Sequence, residues 1–161
     1  MTTNADTLPT VGCWEWVALP EHGIACLKAR VAPEEPSSYL RATDLEAAES
    51  GGEWVLHFKV HPFNDDPATF VVVEAPRAPE AAVPASVGKG SQAVIATLLT
   101  IGEESFPALL EVVESPGAWP LTLGRDVVAG RFSVDPARES VTGAPKLAWS
   151  PTARRLREAS A

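Results

Sequence analysis

A chain of 161 residues, 45% of them hydrophobic and 21% charged, has the size and composition of one globular domain with its own core. Its formal net charge of -8 and isoelectric point of about 4.8 disfavour binding to nucleic acid and to anionic membranes, since both attract basic proteins. The sequence has neither an apolar run of the roughly 20 residues that span a membrane nor an initial secretory signal, so we expect a cytoplasmic bacterial protein.

Short β segments follow one another along the chain, separated by turns rich in proline, glycine and acidic residues. We expect residues 1–10 and 151–161 to be disordered tails and residues 11–150 to form the domain. The predicted strands are Trp14–Leu19, Ile24–Val31, 39–46, 54–62, 69–74, 92–101, 104–114 and Leu121–Leu123, and residues 125–130 could form about one helical turn. This pattern predicts an all-β fold, a closed or sandwiched antiparallel sheet with at most one short helix.

Two segments in the middle of the chain have contrasting patterns. The strand predicted at 54–62 alternates strictly, and its apolar face consists of Trp54, Leu56, Phe58 and Val60. Residues 75–90 instead contain three prolines, which exclude a central strand. We therefore expect residues 75–90 to form a loop or a mobile flap.

Cys13 and Cys26 lie on the two strands of the first predicted hairpin. A regular ladder that pairs Leu19 with Ile24 also pairs Cys26 with Val17. The two sulfur atoms would then lie about 13 Å apart, too far for a disulfide, so we expect both thiols to be reduced.

Several segments, in order and at family-like spacing, resemble one bacterial family over about residues 11–143. They are Gly12-x-x-Glu15-Trp16-Val17-x-Leu19-Pro20, Gly23-Ile24, Lys28-Ala29-Arg30-Val31, Glu53-Trp54-Val55, Phe58-Lys59-Val60-His61-Pro62, Glu74-Ala75-Pro76, Leu123-Gly124-Arg125 and Ala129-Gly130-Arg131-Phe132-x-Val134-Asp135-Pro136-Ala137-Arg138. In these segments the chain is similar to the RimB-type retropepsin-like aspartic endopeptidases, which often carry the label "ATP-dependent zinc protease".

The resemblance implies a retropepsin-like barrel, a half-size pepsin-like unit that forms a homodimer in which each copy contributes one catalytic aspartate. It also implies that Thr122-Leu123-Gly124 threads beside the active loop and supports it. The activity that it implies is the removal of glutamate tails added to a ribosomal protein by RimK-like ligases.

The chain departs from the family at the residues that would perform the chemistry. The family's Asp-Thr-Gly-Ala is replaced by Ala32, Pro33, Glu34 and Glu35, and a later histidine is replaced by Arg41. Aspartic peptidases activate water with two carboxylates that share a proton, and Ala32 has no carboxylate. Pro33 lacks an N–H and Glu34 replaces a glycine, so we expect that the tight active loop cannot be rebuilt. The catalytic site is therefore predicted to be degenerate.

The remaining candidate groups favour binding over catalysis. Four arginines are candidates for recognising carboxylates, or alternatively for pairing with nearby aspartates: Arg41, Arg125, Arg131 and Arg138. His57 and His61 share a strand face but lie about 13 Å apart, so we predict no metal site, and we predict no cofactor. The tryptophans are interpreted as core or dimer packing, with the lining of a peptide groove as the alternative.

Three functions remain open on these residues. The first is a pseudopeptidase domain that binds a peptide or protein partner or has a regulatory role, in association with glutamate ligases of the RimK type. The second is a divergent aspartic-type peptidase that uses Glu34 across a dimer or another carboxylate such as Asp44. The third is a structural subunit that oligomerises through its sheet edges. The net charge of -8 argues against a polyglutamate tail as the present ligand.

Overall fold

The computed structural model describes residues 8–62, 68–79, 93–115 and 117–143. Most of the predicted 75–90 loop and both predicted tails, apart from the residues at 8–10, lie outside these ranges. The strands are β1 (Thr10–Val11), β2 (Trp14–Leu19), β3 (Ile24–Val31), β4 (Tyr39–Arg41), β5 (Thr43–Ser50), β6 (Glu53–Val60), β7 (Val71–Pro76), β8 (Val94–Ile101), β9 (Glu104–Val113), β10 (Leu121–Leu123) and β11 (Ser133–Val134). The one α-helix in the described ranges is α1 (Arg125–Val128), which is too short to cross a membrane.

Six strands close into a barrel in the order β10-β3-β2-β8-β9-β4, and β5, β6 and β7 form a separate three-stranded sheet. The predicted all-β fold with a closed barrel and a short helix is thus confirmed. The barrel is not wholly antiparallel, however, because β10 runs parallel to β3 and β4 runs parallel to β9. The physical reason is that β10 arrives from far along the chain and lies between β3 and β4. Those two strands run in opposite directions, so β10 must be parallel to one of them.

The main apolar core joins the barrel to the three-stranded sheet, and Ala78 and Val94 form a second, small buried cluster. In β6, Leu56, Phe58 and Val60 are almost completely buried, which confirms the predicted alternation, whereas Trp54 at the strand end is 39% exposed. Burying one such leucine or phenylalanine side chain contributes about 1.5–3 kcal/mol, so this face anchors the sheet to the barrel.

The first hairpin has the predicted bounds but a different register. Leu19 faces Ile24 as predicted, yet a β-bulge follows, so that Val17 faces Leu27 rather than Cys26. A bulge places one extra residue on one strand, which the regular ladder did not include. Both cysteines are free thiols, and burial raises the pKa of the Cys26 thiol to about 11.

The segment predicted as one strand at 39–46 is divided between two sheets. Residues up to Arg41 belong to the barrel, and β5 begins at Thr43 in the other sheet. The chain changes direction here, since Asp44 has a positive φ of 55° and the β5–β6 register shifts nearby. The turn between β5 and β6 is shorter than predicted, because Gly51 and Gly52 (φ 60° and 86°) supply the two positive φ values of a tight hairpin.

Glu15 is a fully buried acidic residue that holds the chain after β11 against the barrel. Its carboxylate accepts hydrogen bonds from the backbone N–H groups of Gly12 (2.7 Å), Val141 (2.8 Å) and Thr142 (3.1 Å), and from the Thr142 hydroxyl (2.7 Å). A buried carboxylate is tolerated when its oxygens are bonded in this way. Glu15 therefore has a structural role that the sequence did not indicate.

Candidate functional site

The loop between β3 and β4 contains the degenerate motif and forms a tight turn. The Glu35 N–H donates to the Ala32 carbonyl (2.9 Å), and the Ala32 N–H donates to the Leu123 carbonyl (2.8 Å). Pro33 is thus compatible with a tight turn, while the expectation that the active loop of the resembled family cannot be rebuilt around it stays a prediction. Proline suits the second position of a β-turn, where φ is near -65° and this hydrogen bond requires no N–H. Ala32 directly follows β3, which ends at Val31.

Residues of β10 and α1 support this loop from one side. Leu123 lies opposite Val31 in the parallel pairing of β10 with β3, and the Arg125 N–H donates to the Glu35 carbonyl (2.7 Å). Gly124 lies so close to the loop that an added Cβ would stand 2.3 Å from the Ser37 carbonyl oxygen. The glycine is therefore required by close backbone approach. Residues 122–124 thus occupy the position beside the loop that the resemblance implied.

Ser38 joins the end of the loop to the start of α1. Its hydroxyl accepts a hydrogen bond from the Gly124 N–H (2.8 Å) and donates one to the Asp126 carboxylate (2.8 Å), and the residue is completely buried. Sequence reasoning missed this pair because the two residues are 88 positions apart. The only available signal was the Leu-Gly element at residues 123–124. It predicted that residue 124 lies near the loop, but it did not indicate that the Ser38 hydroxyl accepts its N–H.

The two acidic residues considered as alternative catalytic groups, Glu34 and Asp44, both form ion pairs at the surface of this chain. Ala32 is 0% exposed, so a buried methyl group occupies the position at which the sequence resemblance would place a carboxylate. The Glu34 carboxylate instead lies on the outside, where it forms an ion pair with Arg30 at 2.7 Å and its side chain is 62% exposed. Asp44 lies on β5 and pairs with Lys59 at 3.0 Å. Neither carboxylate is held in a desolvated pair of the kind that aspartic peptidases use.

The four candidate arginines lie in different surroundings. Arg125 is exposed beside the loop, with its Nε 3.4 Å from the Pro33 carbonyl oxygen. The Arg131 guanidinium stacks on Phe106 (4.1 Å to the ring centre) and donates to a helix carbonyl. Arg138 is exposed after β11.

Arg41 is the last residue of β4 and lies at the end of that strand away from the loop. Its N–H donates to the Pro120 carbonyl (2.8 Å), at the end of the β4–β10 pairing that is remote from Leu123 and the loop. Arg41 and Arg125 therefore do not form one set. Arg41 instead lines a pocket between the barrel and the three-stranded sheet.

The histidines have separate local contacts. His57 Nδ1 lies 3.3 Å from the Glu74 carboxylate, and His61 Nε2 lies 2.9 Å from the Thr43 hydroxyl. Burial lowers the pKa of His22, although neighbouring Glu21 acts in the opposite direction. Within residues 8–62, 68–79, 93–115 and 117–143, no three histidine, cysteine or acidic side chains are grouped as a metal ion would require.

Three tryptophans and a lysine form a half-buried cluster beside β2. Trp14 packs edge-on against Trp16 (5.4 Å between ring centres) and lies 6.5 Å from Trp119. The Lys28 ammonium lies 4.2 Å from the centre of the Trp14 ring. The rings and the lysine thus stabilise one another by packing and cation–π contact, which accounts for their half-buried positions.

No protein-family profile matches this chain. It is similar to proteins named probable alpha-L-glutamate ligase. One, from Parasynechococcus marenigrum (strain WH8102), is 31% identical over 128 residues, which are 78% of this chain and 28% of the relative. Another, from Desulfotalea psychrophila, is 28% identical over 135 residues, which are 83% of this chain and 29% of the relative. This chain thus spans less than a third of the length of these relatives.

A solved structure has the same fold. A Legionella pneumophila protein of unknown function, described as DUF785, superimposes with a TM-score of 0.67 at 21% identity, covering 84% of this chain and 99% of that chain. At this identity the likeness concerns the fold alone. The fold therefore exists as nearly the whole of one protein, and this chain is similar to a part of much longer ligase-named ones.

Proposed function

We propose that this chain is a non-catalytic, retropepsin-like domain that binds a protein or peptide partner and works beside an alpha-L-glutamate ligase. The observation that carries the proposal is the fully buried methyl group of Ala32 in a well-bonded loop. The scaffold of the loop is intact, including the support from Leu123 and Gly124, whereas the group that would activate water is absent. A preserved scaffold without its acid suits binding rather than hydrolysis.

The link to ligases is supported by the relatives. They are named probable alpha-L-glutamate ligase, and this chain matches only 28% and 29% of the length of the two described above. A region that resembles one part of several ligase-named proteins is suited to act next to such a ligase. The expected partner is therefore a glutamate ligase or the protein that such a ligase modifies.

The homodimer belongs to the same proposal, because a half-size retropepsin-like unit offers half of a groove. A purely structural oligomerisation subunit is the second candidate, favoured by β5, an edge strand whose residues are almost all exposed. Pairing of β5 with a second copy would bring together the acidic residues Asp44, Glu46 and Glu49, and like charges oppose strand pairing. This candidate is therefore the weaker one.

A cleavage assay on the purified chain tests the absence of catalysis. We expect the wild type to leave a library of peptides intact, while Ala32→Asp combined with Pro33→Thr and Glu34→Gly gains inhibitor-sensitive cleavage if the scaffold is competent. Circular dichroism checks that this variant is folded, because its new carboxylate enters a buried position. Wild-type cleavage that is lost in Glu34→Gln would overturn the proposal in favour of the divergent peptidase.

A binding measurement tests the partner. The chain and a purified glutamate ligase from the same cell are analysed by calorimetry, and in parallel the chain alone is examined by light scattering. Saturable binding to the ligase or to its protein substrate is the expected result. Assembly of the chain with itself, without binding to either protein, would favour the structural subunit instead.

A further inference from the structure

A pocket of about 290 Å³ lies where the barrel meets the three-stranded sheet, at the end of β4 remote from the loop. The polar groups and the glycine that line it come from β4, β5, the end of β6 and the segment after β9: Arg41, Thr43, His61, Glu114, Ser115 and Gly117. Since one water takes up about 30 Å³ of liquid volume, the space suits a molecule of about ten non-hydrogen atoms.

The positive charge of the pocket is held at a defined position. Arg41 Nη1 donates to both the carbonyl oxygen and the hydroxyl of Ser115, each at 2.8 Å, and the guanidinium lies 5.5 Å from the Tyr39 ring centre. Gly117 makes room for it, because a Cβ at that residue would stand 2.3 Å from Arg41 Cζ. A guanidinium fixed in this way is suited to bind a carboxylate.

The negative charge comes from Glu114, at the end of β9. Its Oε2 accepts a hydrogen bond from the Leu45 N–H at 3.0 Å, which orients the carboxylate. The carboxylate as a whole lines the pocket. The same pocket thus contains an oriented cation and an oriented anion.

His61 contributes a polar atom whose hydrogen bond is missing. Its Nε2 is bonded to the Thr43 hydroxyl at 2.9 Å, whereas its Nδ1 is buried and has no partner among the described residues. Buried polar atoms are nearly always bonded, so this nitrogen, in a residue that lines the pocket, still requires a partner.

From these groups we infer that the pocket binds a small zwitterionic α-amino acid with a polar side chain. Its carboxylate lies on Arg41 and Ser115, its ammonium lies on Glu114, and its side chain meets His61. A simple anion would be repelled by Glu114 and a simple cation by Arg41, whereas a zwitterion satisfies both charges. The inference depends on neither the loop nor its missing aspartate, so it is independent of the proposed function.

Nuclear magnetic resonance of the full chain tests the inference directly. L-glutamine and L-glutamate are each titrated against the backbone amide signals, with acetate and methylammonium as single-charge controls. We expect the signals of Thr43, Ser115 and Gly117 to shift with an amino acid, and each control to bind at least about tenfold more weakly. Equal binding of acetate would mean a simple anion site and would overturn the inference, as would the absence of shifts at about 20 mM amino acid.

Variants separate the two charges. Glu114→Gln keeps an oxygen for the Leu45 N–H, so we expect a folded protein with about tenfold weaker amino-acid binding and stronger acetate binding. Gly117→Ala retains both charges but displaces the guanidinium, and it should also weaken binding. Arg30→Gln, on β3 and paired with the exposed Glu34, is the matched control and should bind as the wild type does. Unchanged amino-acid binding in both pocket variants would refute the inference.

Discussion

Replacing Glu15 by glutamine tests how the buried carboxylate stabilises the protein. The substitution preserves size, and one oxygen can still accept the two bonds from Thr142. The new amide group, however, would face the N–H groups of Gly12 and Val141, which now donate to Oε2 at 2.7 and 2.8 Å. Two charge-assisted hydrogen bonds would thus become contacts between donors.

The magnitude follows from the number of bonds lost. Hydrogen bonds to charged groups contribute about 1.5–3 kcal/mol each, and a buried donor left without a partner adds its own cost. Removing a buried charge recovers some desolvation energy, which offsets part of the loss. We therefore expect Glu15→Gln to lower the free energy of unfolding by about 2–4 kcal/mol.

Urea unfolding followed by tryptophan fluorescence measures this change. Glu49→Gln, on exposed β5, is the control and should change stability by less than about 0.5 kcal/mol. Hydrogen exchange adds a local readout, because the amides of Val141 and Thr142 should lose protection in Glu15→Gln alone. A change below about 1 kcal/mol with unaltered exchange at these two amides would refute the reasoning.

Three further perturbations address other parts of the molecule. Gly124→Ala should lower the unfolding free energy by about 1–3 kcal/mol, because its Cβ would meet the Ser37 carbonyl oxygen; wild-type stability in urea would contradict this close approach. Native Cys26, with a raised pKa of about 11, should react with a thiol reagent at mildly alkaline pH much more slowly than Cys13, as mass spectrometry of the labelled peptides would show. Burial lowers the pKa of His22 in the folded protein, so the unfolded chain binds a proton at a higher pH than the folded protein does. His22 therefore lowers the stability of the fold as the pH falls from 6.5 toward the lower pKa of the folded state. His22→Gln should reduce that part of the pH dependence, and an NMR titration midpoint at or above 6.5 would contradict it.

The hairpins show what local patterns can predict. The bounds of β2 and β3 follow from apolar runs around a proline and glycine turn, and β6 follows from strict alternation that the burial of Phe58 confirms. The β8–β9 hairpin about residue 102 follows in the same way. These features depend on neighbours in the chain, which a sequence displays directly.

The candidate site shows where such patterns end. The tight turn at Pro33 was not foreseen, since a proline at that position was judged by its missing N–H rather than by its fit to a β-turn. The hydrogen bond between Ser38 and Asp126 and the hydrogen bond from the Val141 N–H to Glu15 each join residues far apart in the chain. Their residue types do not indicate which distant partner they meet.

The order of residues alone was sufficient to determine an all-β chain and most of its strands. Tertiary structure decided the insertion of β10 between β3 and β4, the division of residues 39–46 between two sheets, and the meeting of Arg41 with Glu114 and His61 in one pocket. The reason is that strand type and turn position depend on residues a few positions apart. Strand order and pocket composition depend on which distant surfaces exclude water together.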